Sequence, residues 1–317
     1  MYQIVEKRGL WFTVSIIMTI PGIIFMIYML ATTGSPLPLS IDFTGGTLWE
    51  MRFDQPVTPG EVRQTFAQAG YQDTVAYSVG GDATDIQVKL KNLDTPAKEA
   101  LVQQVEANLG TFEELSYRSI GPAIGSEVSR AALLAIALAS VFIILYVAWA
   151  FRQVSHPFRF GACAVSALVH DVFVVISFVA IMYFVAGWEI NALFLTAVLT
   201  VIGYSVNDTI VVFDRIRENS KRHRSESLTT ISNRSILETA QRSIATVVTT
   251  LLPLIAILIL GGPTLRQFMA TLIIGLISGG YSSIFNATAL LVSWEERSFF
   301  PRKQQTNGMS DSSAAMA

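Results

Sequence analysis

The stretch VIGYSVNDTIVVFDRIREN, residues 201–219, sets an aspartate, Asp208, between two apolar runs. Asn207 stands beside it, and a second carboxylate, Asp214, opens an arginine-rich segment. An aspartate at the centre of a membrane helix costs about 2.5–3.5 kcal/mol on insertion scales, so such a residue faces a bundle interior with a partner or water. Burial disfavours the charged form of a carboxylate and a nearby cation favours it. A group under both influences changes protonation when the cation moves, which is the chemistry of a proton carrier. Arg242, at the start of a later apolar run, is the available cation. The rival reading of Asp208 is a helix-packing hydrogen bond with no proton traffic. Asn207 does not titrate; it either orients Asp208 or bonds a neighbouring helix. His170 and Asp171, inside another apolar run, also admit two readings. A neutral imidazole can pass protons near physiological pH, or a fixed His–Asp bond can simply lock packing. Adjacent helical positions diverge, so these two side chains need not touch. For Asp214 and Arg215, an ion pair or a solvated helix end is sufficient.

Those residues need a membrane bundle to position them. The 317 residues are 51% hydrophobic and 15% charged, against about a quarter charged in soluble domains. Six apolar runs, about 10–31, 129–151, 158–186, 190–213, 243–262 and 265–293, reach the roughly 20 residues needed to span a bilayer. The first exceeds the roughly 7–15 residues of a signal-peptide core and reads as an uncleaved anchor. Lys7, Arg8, Arg152, Arg159, the arginines after residue 214, Arg297, Arg302 and Lys303 fall on one side if the spans alternate. The positive-inside rule makes that side the cytoplasm, with both termini there. The mixed segment 220–243, which overlaps a cytoplasmic loop over 214–242, reads as an interfacial helix on anionic lipid.

Residues 32–128 fall on the other side, with 13 acidic and 6 basic residues. Alternating runs such as GTLWEMRF, capped helices after Thr58 and Asp94, and a GGDA hairpin signal give the order βαββαβ, the ferredoxin-like α+β fold. The segment has no histidine, cysteine or phosphate loop, so it is suited to touching another chain rather than to chemistry. Near its start, IDFTGGT pairs Asp42, which can bond local amides, with Gly45 and Gly46, which permit unusual backbone angles. It reads as a hinge or junction. Small residues at Gly275, Gly279 and Ser283, and at Gly161, Ala164 and Ala167, suit close helix packing. The single cysteine, Cys163, excludes an internal disulfide and a thiolate metal site. No Walker-type loop occurs, so ATP is not a direct fuel.

IDFTGGT after span 1, one outer domain between spans 1 and 2, GYSVNDTIVVFDRIREN ending span 4, HD in span 3 and QRSIATVVTT opening span 5 together resemble the SecD/SecF family of the RND superfamily, on its SecF side. The resemblance covers roughly residues 7–300; the tail KQQTNGMSDSSAAMA lies beyond it and reads as disordered. It implies a subunit of the bacterial inner-membrane export machinery that works with a SecD-like six-span subunit and the SecYEG translocon. It further implies use of the proton-motive force on an unfolded preprotein emerging on the periplasmic side, with neither cofactor nor nucleic acid. The aspartate and arginine matching Asp208 and Arg242 are implicated in proton transport in such proteins, and the motif extends a coupling role to Asp214. Competing readings are half of a proton-coupled small-molecule exporter and a passive scaffold subunit.

Overall fold

A computed structural model describes residues 3–79, 84–154 and 156–297. The GGDA turn and the polar tail therefore lie outside the described residues. Six helices among them are long and apolar enough to cross a membrane: Val5–Thr33, Pro122–Ala150, Pro157–Ala186, Ala192–Arg222, Leu228–Leu260 and Leu265–Glu295.

The first rod is α1 (Arg8–Thr33), followed by the short α2 (Ile41–Thr44) and the outer domain. That domain comprises β1 (Gly46–Phe53), α3 (Pro59–Gln68), β2 (Val75–Ser78), β3 (Asp85–Leu90), α4 (Thr95–Leu109) and β4 (Phe112–Ile120). The strands lie in the order β2-β3-β1-β4, antiparallel throughout, which is the expected ferredoxin-like arrangement. The caps follow from residue type. Thr58 and Glu61 form a reciprocal capping box with Pro59 in the first turn of α3, and Asp94 accepts from the Ala97 amide at 3.0 Å. The strands alternate so that Trp49, Met51, Phe53, Ile86 and Val88 meet Val62, Phe66, Leu101 and Val105 of the two helices. Trp49 is fully enclosed, edge-on to Phe66, Phe112 and Tyr117.

The bundle begins without a linker, because Gly121 alone separates β4 from α5 (Pro122–Ala150). Then come α6 (Pro157–Ala186), α7 (Ala192–Arg222), α8 (Leu228–Leu260), α9 (Pro263–Tyr281), a π-helical turn (Ser282–Ala287) and α10 (Thr288–Glu295), the last three forming one rod. The inner layer is α6, α7 and the final rod; α5 and α8 flank it and expose Leu133, Phe142, Leu252 and Leu260. Hydrocarbon is as apolar as these side chains, so a lipid-facing flank needs no protein cover. Residues 214–242 correct the expectation of a loop with its own interfacial helix: α7 runs on through Arg222 and α8 starts at Leu228. Ion pairs one turn apart, Asp214–Arg217 and Glu218–Arg222, support the extension, and the Ser227 side chain caps α8. Asn219 donates to Ser235 at 3.0 Å and to Glu238 at 2.8 Å, tying the two helix ends together.

Replacing Trp49 should therefore loosen the outer domain. Trp49→Ala is expected to destabilise it by about 3–5 kcal/mol, measured by pulse proteolysis of the detergent-solubilised chain. Trp49→Phe should cost much less, since the indole nitrogen has no hydrogen-bond partner among the described residues.

Candidate functional site

Asp171, on α6, is completely buried and is held from two other helices. Ser278 of α9 donates to Oδ1 at 2.6 Å, while Ser205 of α7 and Ser282 of the π-turn donate to Oδ2 at 2.7 and 2.8 Å. His170 Nδ1 lies 3.1 Å from Oδ1, so these neighbours do meet. The other ring nitrogen, Nε2, is buried without a partner among the described residues. The ring borders a cavity of about 280 Å³ lined also by Phe12, Ser15, Ser166, Asn286 and Leu290. Two of the lining residues are joined, Ser15 donating to Asn286 at 2.7 Å, and nearby in sequence Tyr281 donates to the Trp11 carbonyl at 2.9 Å. The π-turn spans Ser282–Ala287, so it contains both Ser282 and Asn286. Such single-turn widenings recur at functional sites.

Asp208, three positions beyond Ser205 on α7, meets α8 rather than α6. Ser243 of α8 donates to Oδ1 at 2.6 Å, while Oδ2 is enclosed without a partner among the described residues. Arg242, next to Ser243, is exposed, and no ion pair joins it to Asp208. The direct bond to Asp208 thus comes from a serine hydroxyl at the adjacent position, while the Arg242 charge acts on the carboxylate without an ion pair. Asn207 is exposed, and among the described residues no hydrogen bond joins it to Asp208 or to a neighbouring helix. It continues an exposed row of Thr196, Thr200 and Gly203 on α7, while Arg242, Thr246 and Thr249 form a comparable row on α8. Asp214 is exposed and paired with Arg217 at 2.6 Å, the plain ion pair. Ser205, Ser243, Ser278 and Ser282 were not singled out from sequence; the available signal was polar residues recurring at helical spacing inside apolar runs.

The junction motif is a close-packed clamp. A Cβ on Gly45, whose φ is +71°, would lie 2.7 Å from the Pro122 Cα, and one on Gly125 would lie 2.5 Å from the Gly45 nitrogen. Gly46 has φ +118°, and a Cβ there would meet the Leu90 carbonyl at 2.8 Å. The preceding segment is sewn to the connection between α6 and α7: Ser40 N donates to Ile190 O at 2.9 Å and Ile190 N to Pro38 O at 2.8 Å. Asp42 Oδ2 accepts from the Ala192 amide at 2.9 Å. Lys89 of β3 pairs with Glu189 at 2.8 Å, and Gln267 donates to the Glu189 carbonyl at 2.6 Å. Burial pushes the Glu189 carboxyl above the ordinary range, and the Lys89 ammonium opposes that shift.

Family comparisons agree with this architecture. The model described as protein export membrane protein SecD/SecF, C-terminal, matches residues 99–297, and the SecD/SecF GG motif matches residues 31–57. Together they define the class, the SecD/SecF protein-export membrane proteins. Protein translocase subunit SecF of Thermobaculum terrenum is 45% identical over 309 residues, covering 94% of this chain and 96% of its own. SecF of Anaerolinea thermophila is 43% identical, with 95% and 98% covered. The crystal structure of SecDF from Thermus thermophilus superposes with a TM-score of 0.78 at 32% identity. That match covers 93% of this chain and 39% of the SecDF chain, so the present chain spans well under half of that protein. A SecDF crystal structure in the super-membrane-facing form gives a TM-score of 0.63 at 33% identity. The chain belongs to the SecF family of protein translocase subunits, multi-pass membrane proteins of transport rather than enzymes.

The two carboxylates should respond unequally to truncation. Asp171→Ala strands the buried Ser205 and Ser278 hydroxyls, each worth about 1–3 kcal/mol when left unpaired, and leaves Ser282 only the Gly279 carbonyl at 3.3 Å, so the thermal midpoint of the solubilised protein should fall sharply. Asp208→Ala strands one hydroxyl and should shift the midpoint far less in the same measurement.

Proposed function

We propose that this chain acts with a SecD-like six-span partner to use the proton-motive force in late steps of preprotein translocation through SecYEG. The observation that carries the reading is Asp208: a carboxylate inside the bundle with one hydroxyl partner and an enclosed second oxygen that has none among the described residues. A buried polar atom left unsatisfied calls for a role beyond packing, and ionisable groups inside membrane spans mark ion and proton pathways. His170, Asp171, Arg242, Asn207 and Asp214 are assigned supporting places on that pathway. His170 lies between Asp171 and the cavity, and Arg242 and Asn207 flank the Asp208–Ser243 bond in sequence. The energy available is about 2.3 kcal/mol per charge per 100 mV, enough to bias a domain between two states.

The exposed rows on α7 and α8 support the partner. Thr196, Thr200, Gly203 and Asn207 follow four-three-four spacing, as do Arg242, Thr246 and Thr249 in part. Polar and small residues at that period suit a second helix rather than lipid. The fused SecDF of Thermus thermophilus, of which this chain matches 34%, has a remainder large enough to supply such a bundle. The basic segments assign both termini, and the loop between α7 and α8, to the cytoplasm, leaving the outer domain on the periplasmic side to meet the unfolded preprotein.

Asp208→Asn should leave the subunit co-purifying with its SecD-like partner while abolishing the proton-dependent component of export, followed as protease-protected preprotein in vesicles. Normal export in that variant would leave the passive-scaffold reading in front. Gly203→Trp, by contrast, should reduce co-purification of the partner, because a large side chain on the exposed row blocks close helix approach.

A further inference from the structure

We propose that Asp42 is the coupling residue through which α7 moves the outer domain, an inference that rests on the proton-driven reading of Asp208. Asp42 occupies the four-residue helix α2, immediately ahead of the Gly45–Gly46 clamp. Its Oδ2 accepts from the amide of Ala192, the first residue of α7, at 2.9 Å. Among the described residues this hydrogen bond reaches α7 itself, whereas the Ser40–Ile190 and Lys89–Glu189 ties end on the connection before it. Asn191 satisfies the Phe194 amide of the same helix turn, so the carboxylate complements that cap and meets the positive end of the helix dipole. Its other oxygen lies 3.9 Å from Arg118 Nη1 on β4. One side chain therefore connects the end of α7 with two parts of the outer domain, the start of β1 and the edge strand β4.

The far part of the same helix carries the proton chemistry. Ser205 holds Asp171 and Asp208 is held by Ser243, so α7 is gripped from α6 and α8 at once. Asp208 stands about 24 Å from Ala192 along the axis at 1.5 Å per residue. A hydrogen-bonded helix transmits a displacement over that length as a rigid element. Any shift or rotation of α7 when Asp208 exchanges a proton moves the Ala192 amide, and Asp42 either follows or loses its bond. The close approach of Gly46 to the Leu90 carbonyl of β3 leaves little slack between Asp42 and the sheet. In this arrangement the junction motif conveys motion and does not act as a free hinge.

The test uses the full chain with its SecD-like partner and the channel in proteoliposomes, recording proton uptake and preprotein export together. Asp42→Ala should lower export about tenfold, within the range of measured coupling energies, while proton uptake stays close to that of the unaltered chain. Asp42→Asn keeps an acceptor oxygen for the Ala192 amide and should retain most export. Unchanged export in Asp42→Ala, or a parallel fall of uptake and export, would overturn the coupling role. Absence of proton uptake in the unaltered complex would instead overturn the functional reading beneath it, and this inference with it.

Discussion

The bundle depends on one buried carboxylate, Asp171, and the three hydroxyls that converge on it. A charge or dipole enclosed by helices is tolerable only when its hydrogen-bonding capacity is met. Here α6, α7 and the final rod each contribute, so the three inner helices are fixed in register as well as packed. Apolar side chains alone would allow sliding, since they pack comparably at several offsets. Ser278 and Ser282 grip the same carboxylate one turn apart, and Ser205 brings in α7 from the side. That fixed core gives Asp208, less than one turn beyond Ser205 on α7, a definite place to sit.

A second constraint joins the bundle to the domain outside it. The last strand runs into α5 through one glycine, and the segment before the first strand is stitched to the start of α7. The outer domain is thus attached at two membrane helices, and its orientation is set by both. The glycines at this corner serve close approach: Gly45 and Gly125 meet backbone to backbone, where any side chain would hold the segments apart.

Length and apolar composition made the six helices legible, and the capping residues made the outer domain legible, because both signals are local. Asp171 and Asp208 were conspicuous for the same reason, each being an acidic residue in an apolar run. Their partners were not. Serine occurs often in membrane helices and usually bonds its own backbone, as Ser140 does with Ile136. Whether it turns instead to a carboxylate depends on how helices cross, which spacing along one helix does not encode. Charge favoured Arg242 as the partner of Asp208, yet the helix face of α8 presents Ser243 there and leaves the arginine outward. The continuation of α7 past Asp214 was hidden because its charged residues look like a loop until their one-turn pairing is seen.

The wide turn at Ser282–Ala287 alters how the final rod can be drawn on paper. A helical wheel assumes one angular step throughout, about 100° per residue. A π-turn closes its bonds one residue later, so the wheel that fits Gly275 and Gly279 is out of phase for Leu291 and Val292, both buried. Projecting the whole span with a single period would paint part of its packed surface as greasy exterior. Comparisons of lipid-facing stripes between SecF relatives should therefore treat this rod as two separate cylinders.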